Sequence, residues 1–502
     1  MNNSSAGTAQ FRTKIFAWGS NVSGQLGVGG QAEALLEPTE VMELDGDIVA
    51  VEAGVHSVYA VCADGTVYAW GENSDGQLGD GTTVSRSAPV KIPGLRDVVA
   101  IAAWDAVYAL TSDGSVWTWG RHSARQVRNP DLARQIFDSL VPIRIDKLTD
   151  VVGVAASANA GFALRRDGGI HSWGGYEFGE LGASPMNVER AFYPSWVQRA
   201  NSGSGAKKSE PVRDGTAIAA GFLGAYALAE DGTLWSWGHN DFGQLGWGKQ
   251  SAVPASRRVL AELENGEMFP RWPAADKVRN LGGVVAVASK GLTAYALKSD
   301  GTVWAWGAND LGQLGRGNIR PPLPDGTLDY SIVPEQVPDL RDVRAMSAMG
   351  DTVYVVHRDG RVAAWGDNRN GEIGSGLPAV QPSPTSVRGL SGVRAVAAGI
   401  DFAIAIVPAT VRAEARAPRT QKSDGCYIAT AVYGSYDAPS VVTLRRFRDQ
   451  RLAKSMVGRA LVRTYYLMSP AAAKYLVRIP LLSAVVRRLL DRLVKKLDGP
   501  RE

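Results

Sequence analysis

Few residues in this chain have types and spacings that could do chemistry. Gly243–Lys249 reads GQLGWGK, the GxxxxGK spacing of a loop that cradles nucleotide phosphates, but Gln250 stands where Ser or Thr must ligate magnesium. The five histidines, His56, His122, His171, His239 and His357, occur singly, without HExxH or paired-cysteine spacing, so no metal centre is indicated. Asp and Glu are plentiful, but the ones that repeat belong to turns, and no carboxylate pair for acid–base work stands out. Two cysteines, Cys62 and Cys426, are too few for a disulfide framework, which allows a reducing compartment. Cys426 is either a small buried apolar side chain or a reactive, lipid-bearing or attachment thiol, the latter needing a cationic or helix-N-terminal setting. The expectation is a protein with no catalytic residues, no cofactor and no metal, hence no enzyme.

The elements that would position any site announce themselves by repetition. An eleven-residue phrase returns seven times: AWGSNVSGQLG around Trp18, AWGENSDGQLG around Trp70, TWGRHSARQVR around Trp119, SWGGYEFGELG around Trp173, SWGHNDFGQLG around Trp237, AWGANDLGQLG around Trp306 and AWGDNRNGEIG around Trp365. The GQLGWGK segment is part of the fifth copy, which assigns its glycines to structure. A period near 50 residues indicates a propeller, solenoid or array. Ahead of six of the tryptophans, two alternating apolar runs flank Asp-Gly, at Asp64, Asp113, Asp167, Asp231, Asp300 and Asp359. Asp-Gly between such runs predicts a two-residue hairpin turn. The first Trp-Gly strand, from Lys14 to Gly19, has no partner before it, and the last first-strand, Val393 to Val407, has none after it. Pairing these two closes a ring and removes exposed sheet edges.

The phrase WGxNxxGQLG, the DGxVWxWG hairpin and the preceding VxAIAAG-like strand resemble the repeats of the regulator of chromosome condensation family. The resemblance covers roughly residues 12 to 408. It implies an all-β seven-bladed propeller closed by pairing of the N- and C-terminal strands of the array. It also implies a precedent for partner binding: the name-giving member exchanges guanine nucleotide on a small GTPase, and a bacterial relative covers β-lactamase with its propeller face. Residues 1–11 are expected to be disordered.

Charge divides the chain. Residues 426–502 carry 15 Lys and Arg against 5 Asp and Glu, leaving 39 against 45 for residues 1–425. Residues 409–425, polar and poor in apolar side chains, read as a linker. The segment that follows begins CYIATAVYGS, which resembles the CFI-box, a bacterial C-terminal module, with Tyr427 in place of the usual Phe. A small α-helical domain is predicted there. Its last helix carries a leucine-rich stripe with Arg487, Arg488, Arg492, Lys495 and Lys496 largely outside it. Such a basic amphipathic helix either packs on its neighbours or docks on a membrane surface or in a partner groove, with Cys426 beside it as a second candidate docking element.

Departures from the repeat are the candidate partner-binding elements. The spacing between tryptophans lengthens before Trp237 and Trp306, and these insertions carry Phe192, Tyr193 and Trp196, then Phe269, Arg271 and Trp272. Aromatic and Arg side chains are common interface anchors; equally, they could pin their own loops. The third copy has lost Gly-Gln-Leu-Gly and gains Arg121, Arg125 and Arg128, either a basic loop for an acidic partner or a degenerate solvated blade edge. Specific nucleic-acid recognition is not expected, since residues 1–425 are slightly acidic and carry no nucleic-acid-binding signature. The N-terminus lacks the apolar stretch of a signal peptide, and no apolar run is long enough to span a bilayer. The resulting expectation is a cytoplasmic, in part peripherally membrane-associated, protein-interaction scaffold or regulator with an unknown protein partner. The alternative is a guanine-nucleotide exchange factor-like regulator of a small GTPase.

Overall fold

Alternation of apolar and polar residues with turn residues between the runs folds this chain into antiparallel hairpins. The computed structural model describes residues 13–30, 32–121, 139–146, 148–175, 179–182, 195–197, 212–249, 275–321, 328–376 and 379–408. The chain divides into two units, Met1–Glu414 and Ala415–Glu502, and all described residues belong to the first.

They form seven four-stranded antiparallel sheets. Strands β1 (Lys14–Ser20) and β2 (Ala34–Glu40) come first. Blade I is β3 (Ile48–Ala53), β4 (Ser57–Cys62), β5 (Val67–Gly71) and β6 (Arg86–Lys91). Blade II is β7 (Val98–Ala103), β8 (Ala106–Thr111), β9 (Val116–Gly120) and β10 (Ser139–Arg144). Blade III is β11 (Val151–Ala156), β12 (Ala160–Arg165), β13 (Ile170–Gly174) and β14 (Ser195–Trp196). Blade IV is β15 (Gly215–Ala220), β16 (Gly224–Ala229), β17 (Leu234–Gly238) and β18 (Asp276–Lys277). Blade V is β19 (Val284–Ala288), β20 (Thr293–Lys298), β21 (Val303–Ala308) and β22 (Tyr330–Gln336). Blade VI is β23 (Val343–Met349), β24 (Thr352–His357), β25 (Val362–Gly366) and β26 (Gln381–Ser386). Blade VII takes β27 (Ala395–Gly399) and β28 (Phe402–Val407) from one end of the array and β1 and β2 from the other.

The expected closure is present: β1 pairs with β28 from Lys14 opposite Val407 to Gly19 opposite Phe402. The ring is therefore joined by main-chain hydrogen bonds between its two ends. Two details differ from expectation. Residues 393–407 are a hairpin of two strands, turned at Ile400–Asp401, where Asp401 takes the left-handed conformation (φ 64°) that Asp tolerates. The Asp-Gly turns also use positive φ only at Gly, as at Gly65 (φ 75°), while Asp64 Oδ1 accepts the N–H of Thr66 at 2.9 Å. The remaining five turns repeat this bond. Asp thus serves as a side-chain cap and Gly as the left-handed residue of a longer loop, a combination that two adjacent turn residues do not distinguish in sequence.

The core lies between blades. Six of the seven repeat tryptophans pack edge-on against an aromatic ring of the preceding blade: Trp119 on Tyr59, Trp173 on Tyr108, Trp237 on Phe162, Trp306 on Tyr226, Trp365 on Tyr295 and Trp18 on Tyr354, at 5.3–6.2 Å. The expected α-helical domain lies outside the described residues. No helix among the described residues is long and apolar enough to cross a membrane.

Candidate functional site

The repeated phrase is spent on joining blades. Indole Nε1–H groups of Trp18, Trp70, Trp119, Trp237, Trp306 and Trp365 donate to the carbonyls of Glu372, Gln25, Gln77, Glu180, Gln244 and Gln313 at 2.7–3.0 Å. In the loops of blades I, IV, V and VII the Asn and Gln side chains satisfy backbone groups: in blade I, Asn73 Oδ1 accepts from Leu78 N and Gln77 Oε1 from Asp75 N. The glycine after each Trp has a steric reason as well. A Cβ on Gly71 (φ 101°) would lie 2.3 Å from the His56 carbonyl oxygen. The GQLGWGK segment follows the same pattern. Its Gln244 carbonyl accepts from Trp306 and Tyr226, and Lys249 lies over the Trp247 ring, so this loop is a blade joint.

Antiparallel order brings two connections of every blade to one face: the turn between its first and second strands and the loop between its third and fourth. Seven main-chain bonds tie them together, from Glu72, Arg121, Gly175, His239, Ala308, Asp367 and Ser20 N–H to the carbonyls of His56, Asp105, Asn159, Leu223, Leu292, Asp351 and Asp401, at 2.6–3.2 Å. The first strands of successive blades neighbour one another round the axis, so the first turns ring its mouth.

This mouth has an apolar floor and an acidic lining. Trp104 and Phe222 meet at 5.8 Å between ring centres, and Phe222 remains 40% exposed. The turn between β19 and β20 is the longest of the seven first turns and sends Lys290 across to blades I and II. There its Nζ donates to Glu52, to the Ala53 carbonyl at 3.0 Å and to the Ala103 carbonyl at 3.3 Å. Asp105, Asp351 and Asp401 stand in three of the first turns, and burial pushes each carboxyl above its usual range. Further acids and a histidine lie outside them: Glu72, Asp75, Asp310, Asp367 and the pair His239–Asp241, 3.1 Å apart.

Of the residues singled out in sequence, Arg121 lies on this face, 3.7 Å from Asp75 and close enough to draw the Asp105 carboxyl back toward ionisation. Trp196 lies in β14, opposite His171 of β13. Arg125, Arg128, Phe192, Tyr193, Phe269, Arg271 and Trp272 lie outside the described residues, and so do Cys426, Arg487, Arg488, Arg492, Lys495 and Lys496. The connections that contain Arg125 and Arg128, Phe192 and Tyr193, and Phe269 to Trp272 all run between third and fourth strands. Their described ends are therefore on the mouth face. The first-turn residues were missed in sequence although a signal exists: His56, Asp105, Asn159, Leu223, Leu292 and Asp351 each stand 14 positions before a repeat tryptophan.

Comparison with known proteins adds the following. A family model described as RCC1-like domain matches residues 98–405. The regulator of chromosome condensation (RCC1) repeat matches residues 14–61 and 64–103. The mouse (Mus musculus) E3 ubiquitin-protein ligase HERC2 is 29% identical over 414 residues, which cover 79% of this chain and 8% of the ligase. The chain thus spans less than a tenth of that relative's length. The ultraviolet-B receptor UVR8 of Arabidopsis thaliana is 29% identical over 387 residues, 75% of this chain and 78% of the receptor. The solved structure of Prp20p from Saccharomyces cerevisiae matches with a TM-score of 0.67 at 21% identity, covering 80% of this chain and 92% of that one. One expectation is corrected by these relatives. The lack of a catalytic motif in the repeats predicts no enzyme, yet similar repeats form part of a ubiquitin ligase. The repeat array is therefore no argument against enzymatic function.

Proposed function

The chain belongs to the family of RCC1-like propellers, and on that premise we propose that it is a protein-recognition module whose mouth face takes a basic segment of a partner protein. The observation that carries this reading is the placement of Asp105, Asp351 and Asp401 at equivalent positions round one axis, on the face that also carries the exposed Phe222 ring. Carboxylates held partly out of water gain more from an incoming Lys or Arg than exposed ones do, because the pair is less screened. A ring such as Phe222 supplies the apolar contact that anchors an interface. The Prp20p structure is described together with binding to Gsp1p and histones, a precedent for protein partners on this fold.

The same proposal includes the rest of the chain. Residues 409–425 act as a linker, and residues 426–502 form a helical CFI-box-like module, of bacterial type, that docks on a partner groove or a membrane surface through Arg487, Arg488, Arg492, Lys495 and Lys496. The setting is the cytoplasm. A second reading is favoured by the repeat match: an exchange factor-like regulator of a small GTPase. Titration separates the two, since recognition alone gives stoichiometric capture and exchange gives nucleotide release at substoichiometric protein.

The test of the main reading is in-cell crosslinking and identification of bound proteins with the wild-type chain and with the double variant Asp105→Asn, Asp351→Asn. A partner crosslinked through Lys- or Arg-rich peptides, lost from the variant and weakened by salt, is the expected result. Equal retention of the same partners by both chains would sink the proposal.

A further inference from the structure

The seam at which the ring closes contains a carboxylate trio that no other blade shares among the described residues. In blade V the loop Gln313 uses its amide to bridge two acids, donating to Asp310 and to Asp351 at 3.0 Å each. Asp351 belongs to the first turn of the next blade. The equivalent residue of blade VI is Glu372, and the equivalent acid of the next blade is Asp401. Here an acid replaces the amide donor. Carboxylate oxygens of Asp367, Glu372 and Asp401 all lie within 4.8 Å of one another. Glu372 is fully buried; one of its oxygens accepts the Asn370 N–H at 2.8 Å, and Oε1 is buried with no hydrogen-bond partner.

We propose that Glu372 holds a proton shared with the neighbouring carboxylates and that this proton is a latch on ring closure. Arg369 already grips Asp367 with two nitrogens and the Asn370 side chain hydrogen-bonds Asp401, which leaves Glu372 Oε1 as the oxygen without a partner. A proton on Glu372 relieves its repulsion with Asp367 and Asp401, as a carboxylic acid beside carboxylates. The groups facing Glu372 and Asp401 are Asp367, Arg369 and Asn370 from the Glu372 loop, Tyr354 from β24 and His56 from the first turn of blade I, with Asp351 of the first turn of blade VI facing Asp367 and Arg369. Burial, with repulsion from Asp367 and Asp401, pushes the Glu372 carboxyl up to about 8.

The latch acts on the N-terminal strand. The Glu372 carbonyl accepts the indole N–H of Trp18 in β1 at 2.7 Å and the Tyr354 hydroxyl, while the Asp401 carbonyl accepts Ser20 N–H at 2.8 Å. Ionising Glu372 places a further negative charge among acids at the point where β1 is held. Because the folded chain keeps this proton at a pH where the unfolded chain has lost it, stability falls as pH rises from the ordinary glutamate range to about 8, then levels off.

The test uses the full chain and Glu372→Gln, a change that restores the residue of blades I, IV, V and VII. Three measurements are made from pH 5 to 9: denaturant unfolding, hydrogen exchange of residues 14–20 corrected for intrinsic rate, and the infrared carbonyl band of protonated carboxyl groups. In the wild type, a carboxylic-acid band should titrate near pH 8, and protection of residues 14–20 should fall at least tenfold between pH 5 and pH 8 and then level off. The glutamine variant should lack both changes and be the more stable chain at pH 8. Identical pH profiles for the two chains would overturn the latch. So would a rise in wild-type melting temperature when calcium, magnesium or manganese is added after chelation, because the trio would then be a cation site.

Discussion

At the scale of single residues, the repeated phrase is a list of steric and hydrogen-bonding duties. Gly71 shows how sharp they are, since any side chain there meets the His56 carbonyl at 2.3 Å in a backbone conformation that L residues avoid. Gly71→Ala is expected to cost on the order of 2 kcal/mol or more in urea unfolding, with blade I losing protection first. Loss below about 0.5 kcal/mol would show that the turn relaxes and that the steric account of Trp-Gly is wrong. The same reasoning distinguishes structural from functional acids. Asp64 and its counterparts in the other hairpins cap turns and sit in water, whereas Asp105, Asp351 and Asp401 are partly buried with raised affinities for protons. An acid of the second kind costs stability and calls for a role beyond the turn.

At the scale of strands and turns, most of the architecture was legible because each blade repeats its own instructions. The unpartnered strand Lys14–Ser20 and the missing Asp-Gly at the far end were enough to foresee closure. What escaped was geometry that a dipeptide does not encode: the extra loop residues of the hairpin turns, and the tight turn at Asp401 that makes two strands of residues 393–407. The mouth was overlooked for a different reason. Its residues vary from blade to blade, so repetition hides them, although their fixed distance from each tryptophan marks the place. Lys290 is the clearest case, a single side chain that ties blade V to blades I and II. Lys290→Met keeps the length of the side chain and removes the charge, leaving Glu52 without its partner. The expected loss is about 1–3 kcal/mol in denaturant unfolding, and Glu52→Gln in the same chain should recover part of it. No recovery would mean that Lys290 acts through its carbonyl contacts alone.

At the scale of the molecule, the ring converts seven local differences into one surface. Every first turn and every long connection between third and fourth strands opens on the same side, so insertions that are scattered along the sequence share a face in the fold. That is the physical basis for assigning recognition to the mouth and for regarding the opposite face, built from Asp-Gly turns, as support. The measurement that tests this most directly is site-specific photocrosslinking in cells, with a photoreactive amino acid at position 222 in the mouth or at position 231 on the opposite face. The account expects a discrete partner band from position 222, lost on Asp105→Asn with Asp351→Asn, and none from position 231. A partner captured from position 231 and not from 222 would contradict it.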